Sequence, residues 1–75
     1  VQYEIRVKWD EEARVWYVDE TNVPGLVTEA ETVEAMLAKL EVMVPEMLDE
    51  NGLLHEADVP FNLLVHRHAV AHRST

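Results

Sequence analysis

The sequence predicts an α+β domain, a two-layer β-β-β-α-β sandwich in which one kinked helix packs on a small mixed sheet. Three observations lead to this prediction. Residues 1–9 alternate apolar and polar side chains, an apolar stripe with helical spacing follows at 33–48, and a second alternating run occupies 61–65. The order of elements is therefore strand, strand, short strand, helix, strand.

The first two strands are predicted to form a β-hairpin. Val1, Tyr3, Ile5, Val7 and Trp9 alternate with polar residues, as expected of a half-buried strand. The polar segment 10–12 is turn-like, and residues 13–18 return as a second strand rich in β-favouring residues. Both alternations of this second strand are apolar, so the sequence leaves open which of them faces inward.

A sharp turn is predicted after the second strand, at Pro24 and Gly25. Proline presets the φ of the first central position of a type II turn, and glycine accepts the positive φ of the second. Residues 26–28 are then predicted to run briefly as a third strand.

The helix is predicted to begin between Thr28 and Glu34. Thr28 with Glu31 fits a capping box, and Thr32 is an equally good N-cap with Glu34 close to the positive end of the helix dipole. The apolar stripe that should lie on the sheet comprises Val33, Met36, Leu37, Leu40, Met43, Val44, Met47 and Leu48.

Two features are predicted to shape the far end of the helix. Pro45 deletes a backbone hydrogen bond, so we expect a kink or two helices end to end. Asn51 and Gly52 supply a stop. A loop containing His55 then leads to a last strand from Val59. We expect one domain over residues 1–75, with a short flexible tail from about residue 68.

The net charge of the chain limits the classes of molecule that it is expected to bind. Fifteen acidic against six basic side chains give a formal charge of −9, which disfavours direct binding to nucleic acid or to anionic membranes. Segment 19–58 contains eleven acids and one base, Lys39, so a positively charged protein is the expected partner. The absence of cysteine and of a signal-like apolar stretch favours the cytoplasm. So small a core also favours a homo-oligomer.

Four short motifs in this order resemble the HicB-like antitoxin domains, and most closely their short single-domain members of unknown function. They are Trp9-Asp10, Val15-Trp16, Val23-Pro24-Gly25-Leu26 and the helix entry at 29–34. The resemblance implies a reduced ribonuclease H-like core that binds and inhibits a small basic ribonuclease toxin of HicA type. Longer members add a DNA-binding segment, but residues 66–75 are too short for one. The alternative is a stand-alone homo-oligomeric structural or regulatory protein.

The candidate interface residues have two interpretations each. Trp9 and Trp16 are either packing partners within the hairpin or aromatic anchors of a partner or subunit interface. Glu31, Glu34 and Glu41 form either a solvated helix surface or an acidic docking face.

Catalytic and metal-binding chemistry has little support in the sequence. Ser74 is the only serine, and two glycines cannot build a phosphate-cradling loop. Asp10, Glu11 and Glu12 cluster in a turn, where carboxylates are normally hydrated. His66 and His68 would share one side of a continued strand, and with His72 they are weak metal candidates. We therefore expect no enzymatic activity and no cofactor.

Overall fold

The computed structural model describes residues 2–53 and 58–74. In these ranges the chain forms β1 (Tyr3–Asp10), β2 (Val15–Thr21), β3 (Glu29–Ala30), α1 (Val33–Glu50) and β4 (Phe61–His66). One helix covers one face of a mixed four-stranded sheet, which confirms the predicted α+β class and the order of elements. His55 lies outside the described residues.

The hairpin turn between β1 and β2 is held by Asp10. Its side-chain Oδ1 accepts hydrogen bonds from the backbone N–H groups of Glu12 and Ala13, and its carbonyl oxygen accepts from Arg14 N at 2.8 Å. Arg14 has φ of 60°, a left-handed conformation that ends the turn. The second strand consequently begins at Val15 and runs to Thr21, later than the predicted segment 13–18.

The strands are ordered β3-β2-β1-β4 across the sheet. β1 pairs antiparallel with β2 and parallel with β4. A parallel neighbour requires a crossover connection, and α1 lies in the connection from β3 to β4. This connection places α1 on one face of the sheet and brings β4 beside β1.

A β-bulge in β2 decides which side chains face the helix. Val7 pairs with Val18 and Arg6 pairs with Glu20, so Asp19 is an extra residue on β2. Trp16 and Val18 face the helix, which answers the question that the sequence left open. Because the bulge reverses the alternation, Glu20 lies beside Arg6 on the open face of the sheet, away from the helix.

The turn at Pro24 and Gly25 has the predicted backbone, but the third strand is displaced. Gly25 has φ of +71°, and Leu26 N donates to Val23 O at 3.4 Å. The predicted strand at 26–28 was wrong: Leu26 is 4% exposed and points into the core, whereas Val27 is 83% exposed. Regular pairing begins only at Glu29–Ala30, which face Tyr17 and Trp16.

Helix α1 is continuous from Val33 to Glu50, with Pro45 inside it. The predicted alternative of two helices end to end was wrong. Thr32 is the N-cap, and its side chain accepts a hydrogen bond from Ala35 N at 3.0 Å. At the other end Gly52 has φ of +69°, and the N–H groups of Gly52 and Leu53 donate to Asp49 O and Leu48 O, which is a Schellman motif.

The core lies between the helix and the covered face of the sheet. The helix contributes its buried residues at four-residue spacing: Met36, Leu40, Val44 and Leu48. From the sheet and the turn come Ile5, Val7, Trp16, Val23, Leu26 and Ala30. Leu37, predicted as part of the buried stripe, is 40% exposed at its margin.

The described segment after β4 leaves the sheet. Residues 67–74 have no regular secondary structure and are exposed. Residues 2–53 and 58–74 contain no helix that is both long enough and apolar enough to span a membrane.

Candidate protein-docking surfaces

The two tryptophans form a packing pair inside the hairpin. Trp9 and Trp16 lie opposite each other on β1 and β2, with ring centroids 5.3 Å apart and planes at 62°, an edge-to-face arrangement. Trp16 is 8% exposed, so it has little surface to offer a partner. The structure thus favours hairpin packing over an interface role for Trp16, whereas Trp9 stays partly exposed.

Trp9 is flanked by polar groups that fix its position. Its indole Nε1 donates to Glu11 Oε2 at 2.6 Å. The guanidinium carbon of Arg67 lies 4.5 Å from the ring centroid and that of Arg14 lies 5.7 Å away, both within cation-π range. Arg67 thereby ties the start of the exposed C-terminal segment to the hairpin, a long-range contact that no local pattern predicts.

The acidic candidates on the helix lie around exposed apolar side chains. Glu34, Leu37 and Glu41 follow one another at three- and four-residue spacing, so they are neighbours on the helix surface. Val42, 60% exposed, lies beyond them. We call this surface the acidic helix flank; its exposed residues are Glu34, Leu37, Ala38, Glu41, Val42 and Asp49.

Two charged residues, Glu31 and Lys39, lie next to the acidic helix flank. Glu31 is exposed just before the N-cap and adds a carboxylate at one end. Lys39, the only basic residue of the helix, is directed toward β3, where its Nζ donates to Glu29 O at 2.6 Å. The flank therefore combines negative charge with two large apolar side chains, Leu37 and Val42, and contains no cation.

The C-terminal histidines do not form a metal site in the described part of the chain. His66 is the last residue of β4 and pairs with Lys8, but the strand ends before His68. The condition under which both imidazoles would share one side, a strand that continues to His68, is therefore not met. In residues 2–53 and 58–74, no three side chains of His, Cys, Asp or Glu come together in a metal-binding group.

The turn carboxylates have structural partners. Asp10 accepts backbone hydrogen bonds, and Glu11 accepts from Trp9 and, at 3.3 Å, from Arg14. These contacts hold the hairpin together and do not direct the carboxylates toward a common point on the sheet. A ribonuclease H-like core could in principle hold a metal-dependent nuclease site, which needs several converging carboxylates. The geometry of this turn offers no support for such a site.

Comparison with known proteins shows the family of the chain. A family model described as a domain of unknown function, DUF1902, matches residues 2–73. The chain belongs to the DUF1902 family. A search of curated proteins returned no match. This DUF1902 chain is similar to the crystal structure of a hypothetical protein from the extremely thermophilic bacterium Thermus thermophilus, with 44% identity and a TM-score of 0.64. The similarity covers 93% of this chain and 99% of the Thermus chain.

Sequence reasoning missed two exposed apolar sites in this DUF1902 domain. Leu37 and Val42 emerge on the acidic helix flank, and Leu64 and Val65, 39% and 48% exposed, emerge at the edge of the sheet. The signal for the second pair was present in the sequence: Leu63, Leu64 and Val65 are three consecutive apolar residues in a strand that should alternate.

Proposed function

We propose that this DUF1902 protein is a noncatalytic, HicB-like antitoxin domain that neutralises a small basic ribonuclease toxin of HicA type in the cytoplasm. The acidic helix flank carries the proposal, because it combines exposed carboxylates with Leu37 and Val42. The resemblance of the sequence motifs to HicB-like domains and the net charge of −9 support it.

Carboxylates and apolar side chains contribute differently to binding at such an interface. Carboxylates attract a basic protein over long distances, which speeds the encounter and makes binding weaken with salt. Affinity comes mainly from apolar anchors that become buried, here Leu37 and Val42. A domain docked through this flank covers the RNA-binding or catalytic surface of the toxin and so blocks it without chemistry of its own.

The direct test is co-purification from the native organism. We expect a small basic protein to co-purify, to be encoded next to this gene, and to dissociate more readily as salt is raised. The proposal fails if no such protein co-purifies and the product of the neighbouring gene does not bind.

Charge-neutralising variants test the flank itself. Glu34→Gln with Glu41→Gln should slow association with the co-purified partner several-fold at low salt, because it removes attraction at the docking surface. Glu4→Gln with Glu12→Gln is the matched control, since it changes the net charge equally on exposed residues that lie outside the helix. Equal slowing by both pairs would mean that only overall charge matters.

A further pair of variants tests the apolar anchors. Leu37→Ala should weaken binding by about 1 kcal/mol or more, mainly through faster dissociation. Val27→Ala, at an 83% exposed position outside the helix, is the control and should leave the affinity unchanged. An unchanged affinity in Leu37→Ala would exclude this flank as the docking surface.

A further inference from the structure

The two edges of the sheet differ in their capacity to accept another strand. β3 ends the sheet on one side with two residues, Glu29 and Ala30. β4 ends it on the other side with six residues, Phe61–His66, and no strand among the described residues covers its outer side. An edge strand of this length presents a row of unpaired backbone N–H and C=O groups.

β4 lacks the features by which proteins usually protect such an edge. Its register with β1 runs without a bulge from Phe61 to His66, and Pro60 lies before the strand and not within it. Residues 61–65 carry no charge, although the whole chain has a formal charge of −9. Charged residues and interior prolines are the common means of preventing edge-to-edge pairing.

Apolar side chains are exposed on both faces of this edge. Leu64 lies in register with Arg6 on the open face, and Val65 lies in register with Val7 on the covered face. Both are exposed, Leu64 at 39% and Val65 at 48%. A strand added beside β4 would cover both of them and satisfy the edge backbone groups at the same time.

A second copy of this chain suits the edge for reasons of charge. Two strongly acidic molecules repel each other least when they meet through a neutral surface, because their charged groups then stay farthest apart. Strand β4 supplies that surface on both sides of the contact. We propose that β4 pairs antiparallel with β4 of a second copy, so that two four-stranded sheets form one continuous eight-stranded sheet in a homodimer. This proposal does not depend on the proposed toxin.

Side-chain pairing selects the register of this contact. In a continuous sheet, two residues that pair across the contact must point to the same face, either the helix-covered face or the open face. This requirement excludes every second register. With the two-fold axis at Leu64, this residue meets its own copy, Leu63 meets Val65, and Asn62 meets His66. With the axis at Leu63, polar Asn62 would meet apolar Leu64. The axis at Leu64 is therefore favoured, since it pairs apolar with apolar and polar with polar.

Charges near the junction are compatible with this register. On the open face Lys8 lies beside His66 and Glu4 lies beside Asn62. Pairing Asn62 with His66 therefore places Lys8 of one copy and Glu4 of the other in the same cross-strand row. The two copies of Arg6 are separated by three strand spacings, about 14 Å, beyond the Debye length of about 8 Å at physiological salt.

Single-cysteine variants test the register, because the natural chain contains no cysteine. Leu64→Cys should form a disulfide-linked dimer under mild oxidation, since directly opposed strand residues lie at distances that a disulfide spans. Val42→Cys is the control, being exposed on the helix and remote from β4. Asn62→Cys and His66→Cys should crosslink to each other when mixed, and neither should crosslink well alone.

Sedimentation tests the dimer without crosslinking. The natural chain should shift from monomer to dimer between low and high micromolar concentration. Leu64→Glu should weaken the dimer at least about tenfold, because it places two like charges opposite each other. Val42→Glu, with the same change in charge, should leave it intact, and circular dichroism should show both variants folded.

Two results would overturn the dimer, and a third would overturn its register. The first is a strict monomer at high micromolar concentration. The second is Leu64→Cys crosslinking no faster than Val42→Cys. The third, preferential self-crosslinking of Leu63→Cys, would reject the proposed axis in favour of the neighbouring register.

Discussion

Gly25 occupies a position where both backbone conformation and space restrict the side chain. Its φ of +71° lies in the left-handed region, and a Cβ built there would lie 3.0 Å from Met47 Cε on the helix. The turn from the sheet and the second half of α1 therefore come into close contact at this residue. Glycine is needed for the turn, and its lack of a side chain leaves room for Met47.

Gly25→Ala should consequently destabilise the protein by about 1 kcal/mol or more, measured from urea unfolding midpoints. Gly52→Ala is an informative control, because Gly52 has φ of +69° but nothing lies within 4 Å of its added Cβ. We expect Gly25→Ala to cost more than Gly52→Ala, the difference reporting the contact with Met47. Pro24→Ala should cost less than either, since it forces no clash. A Gly25→Ala protein as stable as the parent would contradict the turn geometry.

At the scale of the element, α1 is bounded by local chemistry at both ends. Thr32 caps its first turn, Glu34 places a negative charge near the positive end of the dipole, and Gly52 closes the Schellman motif. Pro45 cannot donate a backbone hydrogen bond, yet the helix continues through it. Val44 and Leu48, on either side, are almost completely buried, so tertiary packing stabilises the helix where its own hydrogen bonding is interrupted.

Removing the cap tests which threonine begins the helix. Thr32→Ala should destabilise the protein by about 1 kcal/mol, because it leaves Ala35 N without its side-chain acceptor. Thr28→Ala is the control, since Thr28 lies before β3 and contacts β2 through its backbone carbonyl, which accepts from Val18 N. Urea midpoints provide the comparison. A larger loss in Thr28→Ala than in Thr32→Ala would restore the alternative capping box.

The whole molecule carries much more negative charge than its ion pairs compensate. Three ion pairs occur among the described residues, Arg6 with Glu20, Lys8 with Asp19 and Arg14 with Glu11, and most of these side chains are substantially exposed. Such pairs contribute at most about 1 kcal/mol each. Repulsion among the remaining carboxylates therefore opposes folding, and the fold relies on its apolar core.

Salt should accordingly stabilise this protein. Added monovalent salt screens the repulsion, as the Debye length falls from about 30 Å at 0.01 M to about 10 Å at 0.1 M. Thermal unfolding over a salt series, at one protein concentration, measures the effect. Glu46→Gln with Glu50→Gln should raise the melting temperature at low salt and reduce its salt dependence. A parent protein that becomes less stable as salt is added would show that the ion pairs outweigh the repulsion.

The sequence alone determined the features that depend on neighbouring residues. The alternation in β1, the positive φ at Gly25 and the helix stop at Gly52 follow from side-chain periodicity and turn chemistry within a few positions. The stripe of buried helix residues was predicted for the same reason, except at its margin, where Leu37 is exposed. Thr28 and Thr32 were equal candidates for the N-cap until the backbone of β3 was placed between them.

Only the tertiary structure decided the features that depend on distant residues. The bulge at Asp19 turned Trp16 toward the helix and Glu20 away from it, and burial of Leu26 displaced the third strand to Glu29–Ala30. The crossover through α1 made β4 an edge strand and left Leu64 and Val65 exposed. These outcomes depend on which surfaces meet across the fold. Local periodicity indicates which apolar residues can share one face of a strand or helix. Strand order and helix position determine which of these residues are buried in the folded protein.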